Sequence, residues 1–332
     1  MHRTVLGLDV SQATLHAALL PAGSEQPAWQ RVFRNHPDGF AKLLREVPPD
    51  AVWVLEPTGR YHRAVVDAAL AAGRTVLCAE PKAAMLALRS RNPRAKTDRV
   101  DSLGLAWFAR SRPLPGFEPR KPVIDELHDL LAVRKGLSLS RARLAQQAAS
   151  LDFGTEHLQA SIDCLSEQLR RVDARLAELC RSDETLGLVQ RLQTVPGFGP
   201  VTASSLAARL LVGRFPRADS FVAYCGLDPK VRQSGRSAGR TKLSRQGDAE
   251  LRRLLYLAAL TACRPLDSPF REQFDRERDK QLSKTAAYCA VARKLATTAW
   301  SLHRHGTVYD SARVNTQPRP GAAPEPGGTS SA

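Results

Sequence analysis

Between Pro122 and Pro196 the chain has no proline, and an apolar residue recurs at every seventh position: Leu137, Leu144, Leu151, Leu158, Leu165, Val172 and Leu179. In the second half the alternate seam is filled as well, by Ile162, Leu169 and Leu176. That is the a/d pattern of helices that pack along a stripe. In the first half Arg141, Ala148 and Thr155 occupy the alternate positions, so the seam is weaker. Gly154 predicts a break into two helices. Two outcomes fit this pattern: a hairpin packing on itself, or a coiled coil joining two subunits. Either way the 332 residues divide into bodies before and after the long helices.

The part before them reads as alternating strands and helices. "TVLGLDV" is a strand with Asp9 near its end, "LHAALL" its hairpin partner and "WQRVFRN" a third strand. "DGFAKLLREV" has helical spacing. "AVWVLEP" is an apolar run ending in Glu56 and stopped by Pro57, "YHRAVVDAALAAG" a helix, and "TVLCAEP" a buried strand stopped by Pro81. Helical patterns follow around 82–88 and 99–111. Three strands, then helix, strand, helix, strand and helix, is the order of an RNase H-like α/β domain. Pro113, Pro115, Pro119 and Pro122 mark a linker. From Leu192 to about His305 the pattern is mostly helical. The terminal "QPRPGAAPEPGGTSSA" has too little apolar area to offset ordering and reads as a disordered tail. The expected divisions are 1–112, 113–123, 124–185, 186–308 and 309–332.

Charge narrows the function. The net charge is +16 and the pI about 10.2. So basic a chain repels itself unless it meets a polyanion, and nucleic acid is the natural one. The six cysteines include no C-x-x-C pair, which argues against a zinc site or a disulfide framework and for a reducing cytosol. No signal-like segment opens the chain, and no apolar run approaches the roughly 18 residues of a membrane span. A soluble, cytoplasmic protein with no membrane partner is expected.

Against that basic background four acids stand out. Asp9 and Glu56 end strands that would be neighbours in an RNase H-like sheet. Asp98 and Asp101, at i and i+3, share one face of a helix. Alone, that pair is explained by the favourable placement of acids in a first helical turn. Four converging carboxylates would instead need cations. Two Mg²⁺ or Mn²⁺ ions about 3.5–4 Å apart would neutralise them and clamp a scissile phosphate. Arg89, Arg91, Arg94, Lys96 and Arg99 surround the approach, either as a solvated loop or as a grip on a phosphate backbone.

Two further stretches suggest phosphate contact. "TVPGFGPVTA", 194–203, resembles a helix-hairpin-helix element, whose Gly197 and Gly199 would let a backbone come close ahead of a helix N-terminus. The alternative is a tight interhelical turn with no ligand. "CGLDPKVRQSGRSAGRTKLSRQGDAELRRLLY", 225–256, carries Lys230, Arg232, Arg236, Arg240, Lys242, Arg245, Arg252 and Arg253. Ser234 lies in this basic, glycine-punctuated stretch. Cations around it would stabilise an alkoxide and a pentavalent phosphate, yet a serine in such a loop is commonly only a loop residue. Ser237 and Ser244 are comparable candidates.

Taken together, "GLDVSQ", "LEPTGRYH", "KTDRVDSLGLA", "VPGFGPVTA", "FVAYCGLDP" and "SGRSAGRTKLSRQGDAELRRLLY" resemble one family across roughly residues 4–305. It is the insertion-sequence transposases with a RuvC-like DEDD domain and a C-terminal transposase domain, relatives of the pilin-gene invertases and described as bridge-RNA-guided recombinases. The resemblance implies that Asp9, Glu56, Asp98 and Asp101 form a metal site. It implies that Ser234 attacks a DNA phosphate and forms a covalent phosphoserine link. It further implies a composite site in a tetramer, a non-coding RNA pairing with donor and target DNA, and a bacterial, nucleoid-associated protein. Such an RNA would carry sequence while the protein holds backbones. Two rivals remain on sequence alone: a junction-resolving nuclease using the acids and water, and a non-catalytic nucleic-acid scaffold.

Overall fold

The computed structural model describes residues 3–56, 61–79, 98–117, 121–230, 233–234, 237–238 and 242–314. The chain forms two compact units, divided between Pro119 and Arg120.

The first unit is built on a five-stranded sheet. Its strands are β1 (Val5–Val10), β2 (Thr14–Leu20), β3 (Trp29–Arg34), β4 (Val52–Leu55) and β5 (Val76–Cys78), in the order β3-β2-β1-β4-β5. β1 to β3 form an antiparallel meander, and β4 and β5 run parallel to β1. This is the RNase H-like arrangement expected of the element order. Central β1 is an almost unbroken apolar run because helices cover both faces of the sheet.

Strand alternation sorts its side chains. Leu6, Leu8 and Val10 join Trp53 and Leu55 of β4 in a core with Phe40 and Leu43 of α1 (Pro37–Glu46) and Val65 and Val66 of α2 (Arg63–Ala71). Val5 and Val54 face the other way, onto Leu105, Ala106 and Phe108 of α3 (Asp98–Ser111). Each fully buried Leu or Val in these layers contributes about 1.5–3 kcal/mol. Part of the expected linker belongs to this unit: Cys78 N donates to Pro115 O at 3.1 Å and Phe117 N to Val76 O at 2.7 Å, along the edge of β5. The helix expected around 82–88 lies outside the described residues.

The second unit begins with the predicted pair of long helices, α4 (Pro122–Ala148) and α5 (Thr155–Ser182), broken around Gly154. They fold back on each other as an antiparallel hairpin. Arg134–Asp173 at 2.5 Å and Arg175–Glu126 at 2.6 Å tie the two together. The seam is best buried at Leu169, Leu176 and Leu179, near the rest of the unit, while Leu151 and Phe153 at the tip are exposed.

A helical core follows. It comprises α6 (Gly187–Gln193), α7 (Pro200–Leu210), α8 (Ala218–Tyr224), α9 (Ala249–Ala262), α10 (Pro269–Asp279) and α11 (Lys284–His305), packed around Leu206, Phe221, Leu255, Phe270 and Leu295. Between α8 and α9 lie the short pairs β6 (Pro229–Lys230) with β9 (Lys242–Leu243) and β7 (Gln233–Ser234) with β8 (Ser237–Ala238). Of residues 309–314, expected to begin the tail, Tyr309 is instead packed, while Asp310, Ser311 and Ala312 are exposed. Tyr309 stacks on Phe270, its N–H donates to Thr194 Oγ1 at 2.9 Å, and α12 (Ser311–Val314) follows. Among the described residues no helix is long and apolar enough to cross a membrane.

Candidate active site

Register and parity bring the first acids together. Leu8 of β1 pairs with Leu55 of β4 in a parallel ladder, so Asp9 and Glu56 are the next residues at the same end of adjacent strands. Asp9 shares a face with Val5 and Gly7, and Glu56 shares one with Val54. Both therefore lie on the side of the sheet covered by α3.

The helix reaches them because of a single glycine. A Cβ on Gly7 would lie 1.9 Å from Ser102 O and 2.9 Å from Ala106 N. With no side chain at this position, the backbone of α3 rests directly on β1. Asp101 precedes Ser102 on that helix, and Gly7 is two strand positions from Asp9. Ser102 is itself buried, at 1% exposure.

The charges register this convergence. The Glu56 carboxyl is held above its ordinary pKa, first by burial and then by the neighbouring charges of Asp9 and Asp101. Asp9 and Asp101 are thus near enough to act on Glu56. Asp98 opens α3, but its side chain lies outside the described residues. Among those residues no group of three His, Cys, Asp or Glu side chains is arranged to hold a metal ion. The donor set is all carboxylate oxygen, which suits a hard divalent cation, and a carboxyl of raised proton affinity beside other acids is what such an ion relieves.

Sequence reading missed two residues here. Gly7 was visible as a glycine inside a strand, a sign of close backbone approach. Asn35 left no such sign. Its side-chain amide donates to Ser11 O at 2.8 Å and to Tyr61 O at 3.1 Å. It thereby ties the turn after Asp9 to the segment after Glu56.

In the second unit Ser234 pairs with Ser237 across β7–β8, and Lys230 with Lys242 across β6–β9. The stretch read as a loop therefore holds two short strand pairs at its described positions. The side chains of Ser234, Ser237, Lys230, Lys242 and Arg99 lie outside the described residues, as do Arg89, Arg91, Arg94, Lys96, Arg232, Arg236 and Arg240 entirely. Ser244 serves the local structure, since its hydroxyl donates to Asp228 Oδ1 and its N–H to Asp228 O. Arg245 is exposed.

Gly197 has φ 87°, and a Cβ there would lie 2.3 Å from Ala258 O. Its lack of a side chain serves packing against α9, as in the tight-turn reading. Gly199, just before the first turn of α7, is exposed.

Comparison with known proteins agrees with this architecture. A family model described as a transposase of the DEDD IS110 type matches residues 6–151. A second, described as the transposase IS116/IS110/IS902 family, matches residues 189–275. The pilin gene-inverting protein of Moraxella bovis is 24% identical over 322 residues, which cover 93% of this chain and 98% of that protein. The transposase for insertion sequence element IS1328 of Yersinia enterocolitica is 34% identical over 149 residues, 44% of this chain and 43% of that one. T. thermophilus RuvC in complex with a Holliday junction substrate aligns at 16% identity and a TM-score of 0.27, over 35% of this chain and 100% of that one, too slight a likeness to bear on the site. With both units matched in order and a relative aligned nearly end to end, the chain belongs to the IS116/IS110/IS902 family of transposases.

Proposed function

We propose that this transposase cuts and rejoins DNA strands using the acids of its first unit and a serine of its second. The observation that carries the reading is Glu56, whose carboxyl is pushed up by burial and by Asp9 and Asp101. A structural surface cluster would have no reason to bury one acid beside two others. Asp9, Glu56, Asp101 and Asp98 would hold Mg²⁺ or Mn²⁺, two ions in the full reading. Bound there, the ions would supply charge neutralisation for a phosphate and its leaving oxygen.

The basic residues of the chain bring the polyanion to the acids. Ser234 Oγ then attacks the phosphorus. The Oγ–P bond forms, a P–O bond to sugar breaks, and the displaced sugar oxygen takes up a proton. A hydroxyl of the incoming strand reverses the step, which regenerates Ser234 without an external energy source. The name of the Moraxella bovis relative, a gene-inverting protein, supports rejoining as well as cutting. In the same reading the acids and the serine at one phosphate come from different subunits of a dimer or tetramer. A non-coding RNA pairs with donor and target DNA. The high charge and only 6% aromatic content suit a protein that holds backbones while pairing reads sequence.

The test is a nicked suicide duplex incubated with protein and Mg²⁺. A denaturant-stable, protease-sensitive DNA adduct is expected from wild type and none from Ser234→Ala. If wild type gives no adduct and Ser234→Ala cuts normally, the serine role is wrong, and cleavage by water at the acids replaces it.

A further inference from the structure

Three arginines from separate places in the chain gather around the turn at Cys225–Leu227. Arg252, on α9, donates Nη1 to Cys225 O at 3.5 Å and to Arg245 O at 3.3 Å. Arg293, on α11, donates Nε to Leu227 O at 3.3 Å. Arg245, whose carbonyl Arg252 holds, has φ 53°, a left-handed conformation that non-glycine residues adopt at a cost. Gly226 has φ 67°, and a Cβ there would lie 2.4 Å from Arg252 Nη1, so the turn is bare where the guanidinium passes.

The three cations also act on one point. Burial raises the pKa of the Cys289 thiol on α11, and Arg293, Arg245 and Arg252 all act against that rise.

Neighbouring arginines of this unit are neutralised. Arg253 meets Glu250 at 2.6 Å, Arg209 meets Asp248 at 3.2 Å and Arg271 meets Asp275 at 2.8 Å. Among the described residues Arg245, Arg252 and Arg293 form no ion pair with a carboxylate. Holding like charges together with backbone carbonyls costs stability unless an anion completes the cluster. Guanidinium forks match phosphate oxygens in geometry as well as charge.

We propose that Arg245, Arg252 and Arg293 form a binding site for a DNA backbone phosphate beside the β6–β9 pair, at the two ends of the segment that carries Ser234. Arg245 lies two residues after β9, and Leu227 two residues before β6, so the cluster sits where both strands of that pair enter the helical core. The site holds one phosphate of the strand in register with the serine. The proposal rests on the reading that the chain handles DNA, and it adds Arg293, from outside the basic stretch, to the residues that do so.

The test separates binding from chemistry. Affinity for two duplexes of unrelated sequence is measured by fluorescence anisotropy across a salt series, in EDTA, with Ser234→Ala protein as the parent. Arg245→Gln and Arg293→Gln are each expected to weaken both duplexes alike and to lower the slope of log K against log salt by about 1. Arg253→Gln, which removes a charge already paired with Glu250, is expected to leave the slope unchanged. Should Arg293→Gln fail to fold, Arg245→Gln decides, because the Arg245 side chain makes no hydrogen bond among the described residues. Parental slope and affinity in Arg245→Gln overturn the proposal, as does a loss confined to one duplex. Neither result depends on whether the serine forms an adduct, so this site and the cleavage reading fail separately.

Discussion

The strand ends of the first unit and the Cys225–Leu227 turn of the second collect charge of opposite sign by different means. At the strand ends Asp9, Glu56 and Asp101 are brought together by strand register and by a helix laid on Gly7. At the turn Arg245, Arg252 and Arg293 are gathered by hydrogen bonds to backbone carbonyls. In both places like charges sit close in the folded chain. Under the proposals above, the first arrangement would hold a divalent cation and the second a phosphate. Asp9 and Glu56 are fixed by the sheet and Asp101 by the helix packed directly on it. Of the arginines, Arg252 and Arg293 reach from helices to carbonyls of a short turn, and Arg245 lies in the exposed segment beside it. Damage at the acids should therefore abolish chemistry, whereas damage at the arginines should lower affinity by degrees.

The largest expected effect follows from this placement of the acids. Asp9→Asn or Asp101→Asn should reduce Mg²⁺-dependent strand cleavage by at least ~10²-fold, the scale on which one preorganised group stabilises transition-state charge. DNA binding in EDTA should be preserved, as gel cleavage and anisotropy assays on the same preparations would show. Undiminished cleavage would erase the distinction between the two regions.

Gly7→Ala comes next. Its Cβ would meet Ser102 O at 1.9 Å, so α3 must lift from β1. A loss of about 1–3 kcal/mol or more is expected in denaturant unfolding, together with loss of cation response, because Asp101 moves with the helix. Asn35→Ala should be milder. Freeing the Ser11 and Tyr61 carbonyls loosens the segments that carry Asp9 and Glu56, and the Mg²⁺ concentration for half-maximal cleavage should rise about 10–100-fold. An unchanged value would reduce Asn35 to a loop staple.

The smallest effect is one of pH. Glu56 in the folded protein binds its proton above the ordinary value of 4.5. The stability associated with that proton is therefore complete below the unfolded pKa and is lost as pH rises through the folded one. Without divalent cation, wild type should lose melting temperature across that window, by an amount that Glu56→Gln removes. Glu56→Gln should then be the more stable protein at neutral pH. Parallel pH profiles for the two would show that Glu56 is not under strain.

Much of the acid site was legible in the sequence because its cause is local. Apolar runs that stop at Asp9 and at Glu56 mark strand ends, and an i, i+3 spacing places Asp98 and Asp101 on one helical face. The element order then makes β1 and β4 neighbours. What could not be read depends on contacts between distant segments. Gly7 announces a close approach but not that α3 makes it, and Asn35 looks like any polar residue after a strand. The long heptad pattern left hairpin and intersubunit coil equally open, and Arg134–Asp173 and Arg175–Glu126 show the hairpin. Arg252 and Arg253 are adjacent in sequence and opposite in circumstance. The Glu250 partner of Arg253 lies at i−3 and was visible, whereas the carbonyls that hold Arg252 come from residues 225 and 245.

Whether Asp9, Glu56 and the acids of α3 form a cation site is decided by thermal unfolding against divalent cation. Wild type at neutral pH should gain melting temperature as Mg²⁺ or Mn²⁺ is added, and Asp9→Asn and Asp101→Asn should show little or none of that gain. An equal gain in all three proteins would place any bound cation elsewhere and contradict the account.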